Sequence, residues 1–132
     1  MRGKTFAASA VLVLALPCSG SSIAGNVSQL RDPSVQAFVS VCSPARDQFA
    51  GKNISSDNAI LVSFCFGYVF GAAEASADNR IDCAPSNVTV QQRILILLKW
   101  AEKNPELINM DRSLGLALAM AEAFPCQNKQ EK

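Results

Sequence analysis

The chain has 132 residues, a formal charge of +1 and no histidine. That length suits one domain, and the near-neutral balance offers nothing to nucleic acid or an anionic membrane. Without histidine, Ser-His and Cys-His nucleophile pairs and the commonest metal ligand are excluded.

The first residues read as a secretory signal. Arg2 and Lys4 supply the positive start, residues 6–16 the apolar run, and Ser22-Ile23-Ala24 a small-residue cleavage site. The apolar run is shorter than the roughly 20 residues a membrane helix needs. No later stretch is expected to be long and uncharged enough either, so no membrane insertion of the mature chain is expected. Pro17 sits where lipoprotein processing at Cys18 would want a small residue. Residues 1–24 are therefore expected to be removed on export to the periplasm, leaving ten basic and eleven acidic residues. Cys42, Cys65, Cys83 and Cys126 remain, an even set that reads as two disulfides. No CxxC spacing supports a metal site. Asn26, Asn53 and Asn87 each open an Asn-x-Ser/Thr triplet, relevant only in a glycosylating pathway.

Residues 25–30 are polar and expected to be loose. Asp32-Pro33 offers an N-cap with proline at the first helical position. Val35, Phe38, Val39 and Cys42 follow at helical spacing. Pro44 interrupts this helix, and residues 46–53 form a connection with room for one helical turn. A central helix is expected over 57–77, with Ser55, Ser56 and Asp57 as candidate caps. Its expected buried stripe is Ile60, Leu61, Phe64, Tyr68, Gly71, Ala72 and Ala75, with Phe66 and Phe70 on another side. Gly67 and Gly71 share a face, which predicts a close approach by a neighbouring helix.

Residues 78–80 end the central helix in polar side chains, and Cys83-Ala84-Pro85 makes a short link. Thr89 with Gln92 predicts a capping box opening a helix through Ile94, Leu95, Leu97, Leu98 and Trp100 to about residue 103. Residues 94–98 alone could pass for a strand, but the cap and the length favour a helix. Asn104-Pro105-Glu106 breaks the chain, and residues 107–110 form a loop or one turn. Asp111 caps a last helix whose apolar side is expected to be Leu114, Leu118, Ala121 and Phe124. Pro125 stops it, and residues 127–132 form a flexible tail. The expected fold is all-α, a small disulfide-bonded bundle of about four helices over 25–126. The helices beginning near Thr89 and Asp111 should pack on the central one.

Glu74, Asp78 and Asp82 are the only candidate carboxylate cluster, and they lie at a polar helix end. Glu102 and Glu106 read as solvated charges, and Trp100 as core or rim. No glycine-rich loop has phosphate-binding spacing. The residues describe a binding protein with no cofactor, no metal and no catalytic set.

The segment Cys65-Phe66-Gly67-Tyr68-Val69-Phe70-Gly71 resembles the C-x-G-Y-x-x-G core of the Rap/Tai family. Cys83-Ala84-Pro85 with Val88-Thr89, Asn104-Pro105-Glu106, and Ala123-Phe124-Pro125-Cys126 are similar to further family motifs in the same order. Little before Cys42 takes part, and the 43–56 connection looks longer than usual. The resemblance implies a periplasmic immunity protein against peptidoglycan amidase effectors of type VI secretion. Such a protein occludes the amidase site and does no chemistry. The resemblance further implies a homodimer and a protruding loop that enters the effector. The alternative reading is a periplasmic acid-stress chaperone, also small, helical and disulfide-bonded.

Two site expectations follow. If the last three long helices run up, down and up, Cys83 and Cys126 meet at one end of the bundle. Cys65 would then lie roughly 20 Å away, too far to bridge Cys83. The expected pairs are Cys42–Cys65 and Cys83–Cys126. The partner-binding surface is expected on the connection 103–112. It mixes charge (Lys103, Glu106, Asp111, Arg112) with apolar side chains (Leu107, Ile108, Met110). The simpler possibility is a capping turn in which Leu107 and Ile108 close the end of the core.

Overall fold

The computed structural model describes residues 24–79 and 83–126. The helices are α1 (Ala24–Arg31), α2 (Val35–Cys42), α3 (Ala45–Phe49), α4 (Ser56–Asn79), α5 (Val90–Lys103) and α6 (Arg112–Ala123). A 3-10 turn, Pro105–Leu107, joins the last two. Among the described residues there is no strand, and one isolated antiparallel bridge pairs Ser34 with Asp111. Residues 1–23 of the expected signal peptide, and the expected tail, lie outside the described residues. Residues 25–30, expected to be loose, belong to helix α1.

The short helix α2 is the hub of the core, packing on α1, α4, α5 and α6. It begins two residues later than the Asp32-Pro33 signal suggests. Ser34 is the N-cap, its Oγ accepting from the Ala37 amide at 3.2 Å. Asp32 instead accepts from the Ser34 amide at 2.8 Å, leaving Pro33 outside the helix. Val35, Phe38, Val41 and Cys42 are all buried, and a fully buried side chain of this size is worth about 1.5–3 kcal/mol. Eight residues can therefore hold four neighbours.

Helix α4 packs on α2 and α5. It does not pack chiefly on α5 and α6 as the sequence suggested. Its buried positions are Leu61, Val62, Cys65 and Val69. Of the stripe expected from the sequence, Phe64, Tyr68 and Ala72 are half-buried, while Ile60, Gly71 and Ala75 are exposed. Among the described residues the close approach expected at Gly67 and Gly71 is absent, since a Cβ on either would meet nothing within 4 Å. The reason lies in composition. With no charged side chain from Asn58 to Ala73, apolar residues surround the helix and spacing cannot select the inner face. By length and composition the segment 56–76 could cross a membrane, contrary to the expectation for the mature chain. In this fold its midpoint is bridged to α2.

Both disulfides join the expected partners. Cys42 and Cys65 lie 5.3 Å apart at Cα, fixing α2 to the middle of α4. Cys83 and Cys126, 5.2 Å apart, tie the start of the α5 link to the end of α6. Helix α5 opens on the expected capping box. The Thr89 Oγ1 accepts from the Gln92 amide at 3.2 Å, and the Gln92 Oε1 accepts from the Thr89 amide at 2.8 Å. Ile94, Leu97, Leu98, Trp100 and Ala101 are its buried side. Beyond it, Glu102 reaches Arg46 at 2.6 Å, so this carboxylate holds the α3 region as well as facing solvent.

Helix α6 starts at the expected Asp111 cap but buries a different face. Gly115, Leu116, Ala119 and Met120 point inward. Leu114 and Leu118, expected inside, are 52% and 38% exposed, and Ala121 is exposed too. Gly115 decides the rotation. A Cβ there would collide with a methyl of fully buried Val35, so only glycine lets α6 approach α2 this closely.

Candidate interaction surface

The connection between α5 and α6 is held closely to the body of the domain. Asn104 closes α5, its side-chain amide donating to the Trp100 carbonyl at 2.8 Å. The next residues present carbonyls to the start of α2. The Gln36 amide donates to Ile108 O at 2.8 Å, and the Val35 amide to Met110 O at 2.9 Å. These are first-turn amides with no partner inside their own helix. In return the Arg112 amide donates to Pro33 O at 2.7 Å.

Of the seven residues expected to bind a partner, Lys103, Glu106 and Asp111 are exposed. Leu107, Ile108, Met110 and Arg112 are half-buried, with Leu107 and Met110 packed on the core. The connection thus combines an inward anchoring side with an outward polar ridge. Asn109 completes that ridge and is exposed. It carries neither the charge nor the apolar bulk that marks an interface residue in sequence.

Arg112 is the most engaged side chain here. Its Nη1 donates to the Leu30 carbonyl at the end of α1 at 3.1 Å. Its guanidinium lies 4.9 Å from the Tyr68 ring centroid, 5.8 Å from Phe64 and 5.9 Å from Phe38. Phe38 and Tyr68 touch at a tilt with centroids 4.7 Å apart. A planar, permanently charged group over aromatic faces is the arrangement arginine suits and lysine does not. Two carboxylates flank it. Asp111 is held below the ordinary carboxylate pKa by its bonds from the Ser113 hydroxyl and amide, with Arg112 adding to the effect. Asp32 is lowered by its bonds from Ser34, backbone first, and again by Arg112.

Two further surfaces stand out. Ile60 and Phe70 on α4 are 55% and 56% exposed, on the same outward side as Gly67 and Gly71. Leu114 and Leu118 make a second apolar row on α6. Between α4 and α6 runs an open groove lined by Val69, Ala72, Ala73, Leu116, Ala117 and Met120. The uncharged run from Asn58 to Ala73 was the signal in the sequence for the first of these surfaces. Among the described residues, no three Cys, Asp or Glu side chains gather as a metal site.

The family model of the Rap1a immunity proteins matches residues 34–126. The chain belongs to that family. No curated protein matches it, and no solved structure does. The Rap1a match begins at the Ser34 cap of α2 and ends at the disulfide partner Cys126. It therefore includes both bridges, the anchored connection and the three rings against Arg112, and leaves α1, with the Leu30 carbonyl that Arg112 also reaches, outside. Within the Rap/Tai-like segment 65–71, the roles now separate. Cys65 and Tyr68 build the inside, through the bridge to Cys42 and the ring beneath Arg112. Gly67 and Gly71 face outward, where no atom of the described residues needs them small.

Proposed function

We propose that this Rap1a-family protein is a periplasmic immunity protein that binds a peptidoglycan amidase effector and occludes its active site. The family match over 34–126 carries this reading. Immunity proteins act by binding a cognate effector, so no catalytic group of their own is required. The two disulfides agree with export into an oxidising compartment. The partner surface is the connection 103–112. Lys103, Glu106 and Asp111 reach outward beside Asn109, while Leu107, Ile108, Met110 and Arg112 support them from behind. A second copy would sit on the outward face of α4, where Ile60 and Phe70 flank Gly67 and Gly71. That face carries bulk and hollow together, as a two-fold interface requires. The family match favours immunity over the chaperone reading.

The test is retention of periplasmic proteins on the immobilised mature chain, with mass spectrometry of what is held. An amidase should be retained. The triple variant Lys103→Ser, Glu106→Ser, Asn109→Ser should keep the parental melting temperature and weaken binding by about 2 kcal/mol or more, the scale of interface hot spots. Retention of a different class of protein would overturn the amidase assignment. Undiminished binding by the variant would move the interface away from this connection.

A further inference from the structure

Resting on the reading of 103–112 as the partner surface, we propose that Arg112 is a positioning residue. It clasps the connection into one fixed shape and does not itself touch the partner. Three observations converge. The backbone of the connection is tied to residues 33–36 at the start of α2 by the amides of Val35, Gln36 and Arg112. The Ser34–Asp111 bridge lies in the same seam. Across that seam, the Arg112 side chain reaches α1 through the Leu30 carbonyl, and α2 and α4 through the Phe38, Phe64 and Tyr68 rings.

One side chain therefore closes a loop of contacts among α1, α2, α4 and the start of α6. Its chemistry suits the task. The Leu30 carbonyl accepts from one edge of the guanidinium while three aromatic ring centroids lie 4.9–5.9 Å from its carbon. A lysine could keep the charge but not satisfy both the plane and the carbonyl. The ridge formed by Lys103, Glu106, Asn109 and Asp111 is then displayed on a backbone already in its bound shape. Ordering that backbone costs nothing further when the partner arrives.

Amide hydrogen exchange on the disulfide-intact mature chain tests the clasp without any effector. The reporters are the Val35, Gln36 and Arg112 amides, whose acceptors all lie across the seam. Arg112→Gln should raise their exchange about tenfold or more, while the Leu97 and Leu98 amides in the middle of α5 change by less than about twofold. Arg112→Lys should fall between parent and Arg112→Gln. Tyr68→Leu, which keeps the guanidinium but removes its nearest ring, should move the same three amides in the same direction. If Arg112→Gln does not fold, Tyr68→Leu carries the test by itself. Unchanged exchange at the seam, or an equal rise at Leu97 and Leu98, overturns the proposal. Because no partner takes part, that failure is distinct from failure of the immunity reading. The latter would show instead as intact seam protection in a protein that retains no amidase.

Discussion

Helices α4 and α6 each carry glycine within an apolar run, and the two runs use it in opposite ways. In α6, Gly115 lies directly against Val35, and the helix could not sit where it does with a larger residue. In α4, Gly67 and Gly71 have the spacing that usually marks a close helix contact, yet they face open space. The lone glycine is the packed one. Spacing shows which residues share a face, but only the neighbouring helix decides whether that face turns inward. Here the inner side of α4 is set by the Cys65 bridge to α2, which leaves Gly67 and Gly71 on the outside.

The sharpest way to break this comparison is to enlarge the glycines. Gly115→Leu should destabilise by about 3 kcal/mol, at the upper end for overpacking, because Val35 is stiff and fully enclosed. Gly115→Ala should still cost about 1 kcal/mol, since the gain in helix propensity offsets only part of the collision. Denaturant melts of both variants, with the parental bridges intact, supply the measurement. A Gly115→Ala protein as stable as the parent would mean that α6 does not need its close approach to α2.

The opposite sign is expected on α4 at protein concentrations low enough that no second copy covers this face. Gly67→Ala and Gly71→Ala add a methyl in open space within a helix, so each should raise stability by up to about 1 kcal/mol. A loss at either position would show that the face is already covered in solution, by a second copy or another partner. The same melts run at several protein concentrations separate these cases, because coverage by a second copy makes the loss concentration-dependent.

What the sequence made legible was the local chemistry and the chain geometry. The Thr89–Gln92 box and the Asp111 cap depend on neighbours within three residues, and both formed. The cysteine pairing followed from helix length and direction, which the breaks near residues 80 and 104 already define. The inner faces of α4 and α6 were not legible, because each helix is apolar on several sides. The 103–112 connection was only partly so. Lys103, Glu106 and Asp111 do face outward, but its carbonyls are acceptors for α2, a segment some 70 residues earlier that local patterning cannot reach. Arg112 looked like one more surface charge because its three rings come from two other helices.

The smallest predicted effect concerns acid, and it tests how α6 is seated for the Gly115 contact. Asp32 and Asp111 both have pKa values lowered below 3.8 in the folded chain, by bonds at the cap of α2 and the cap of α6. A lowered folded value means that the unfolded chain takes up the proton first. The stabilisation from these groups is therefore complete above the unfolded pKa and is lost as pH falls through the folded one. Both groups are open to solvent, so salt screens them and the effect is modest. Urea melts from about pH 5 to about pH 2 should show stability falling with acid. The double variant Asp32→Asn, Asp111→Asn keeps an oxygen acceptor at each position but nothing that ionises. Its stability should fall less steeply over the same range, and seam exchange at the Val35 and Arg112 amides should follow the same pattern. Parallel acid slopes in parent and variant would mean that these two carboxylates contribute nothing to seating α6. Its position would then rest on the Arg112 contacts and the Gly115–Val35 fit.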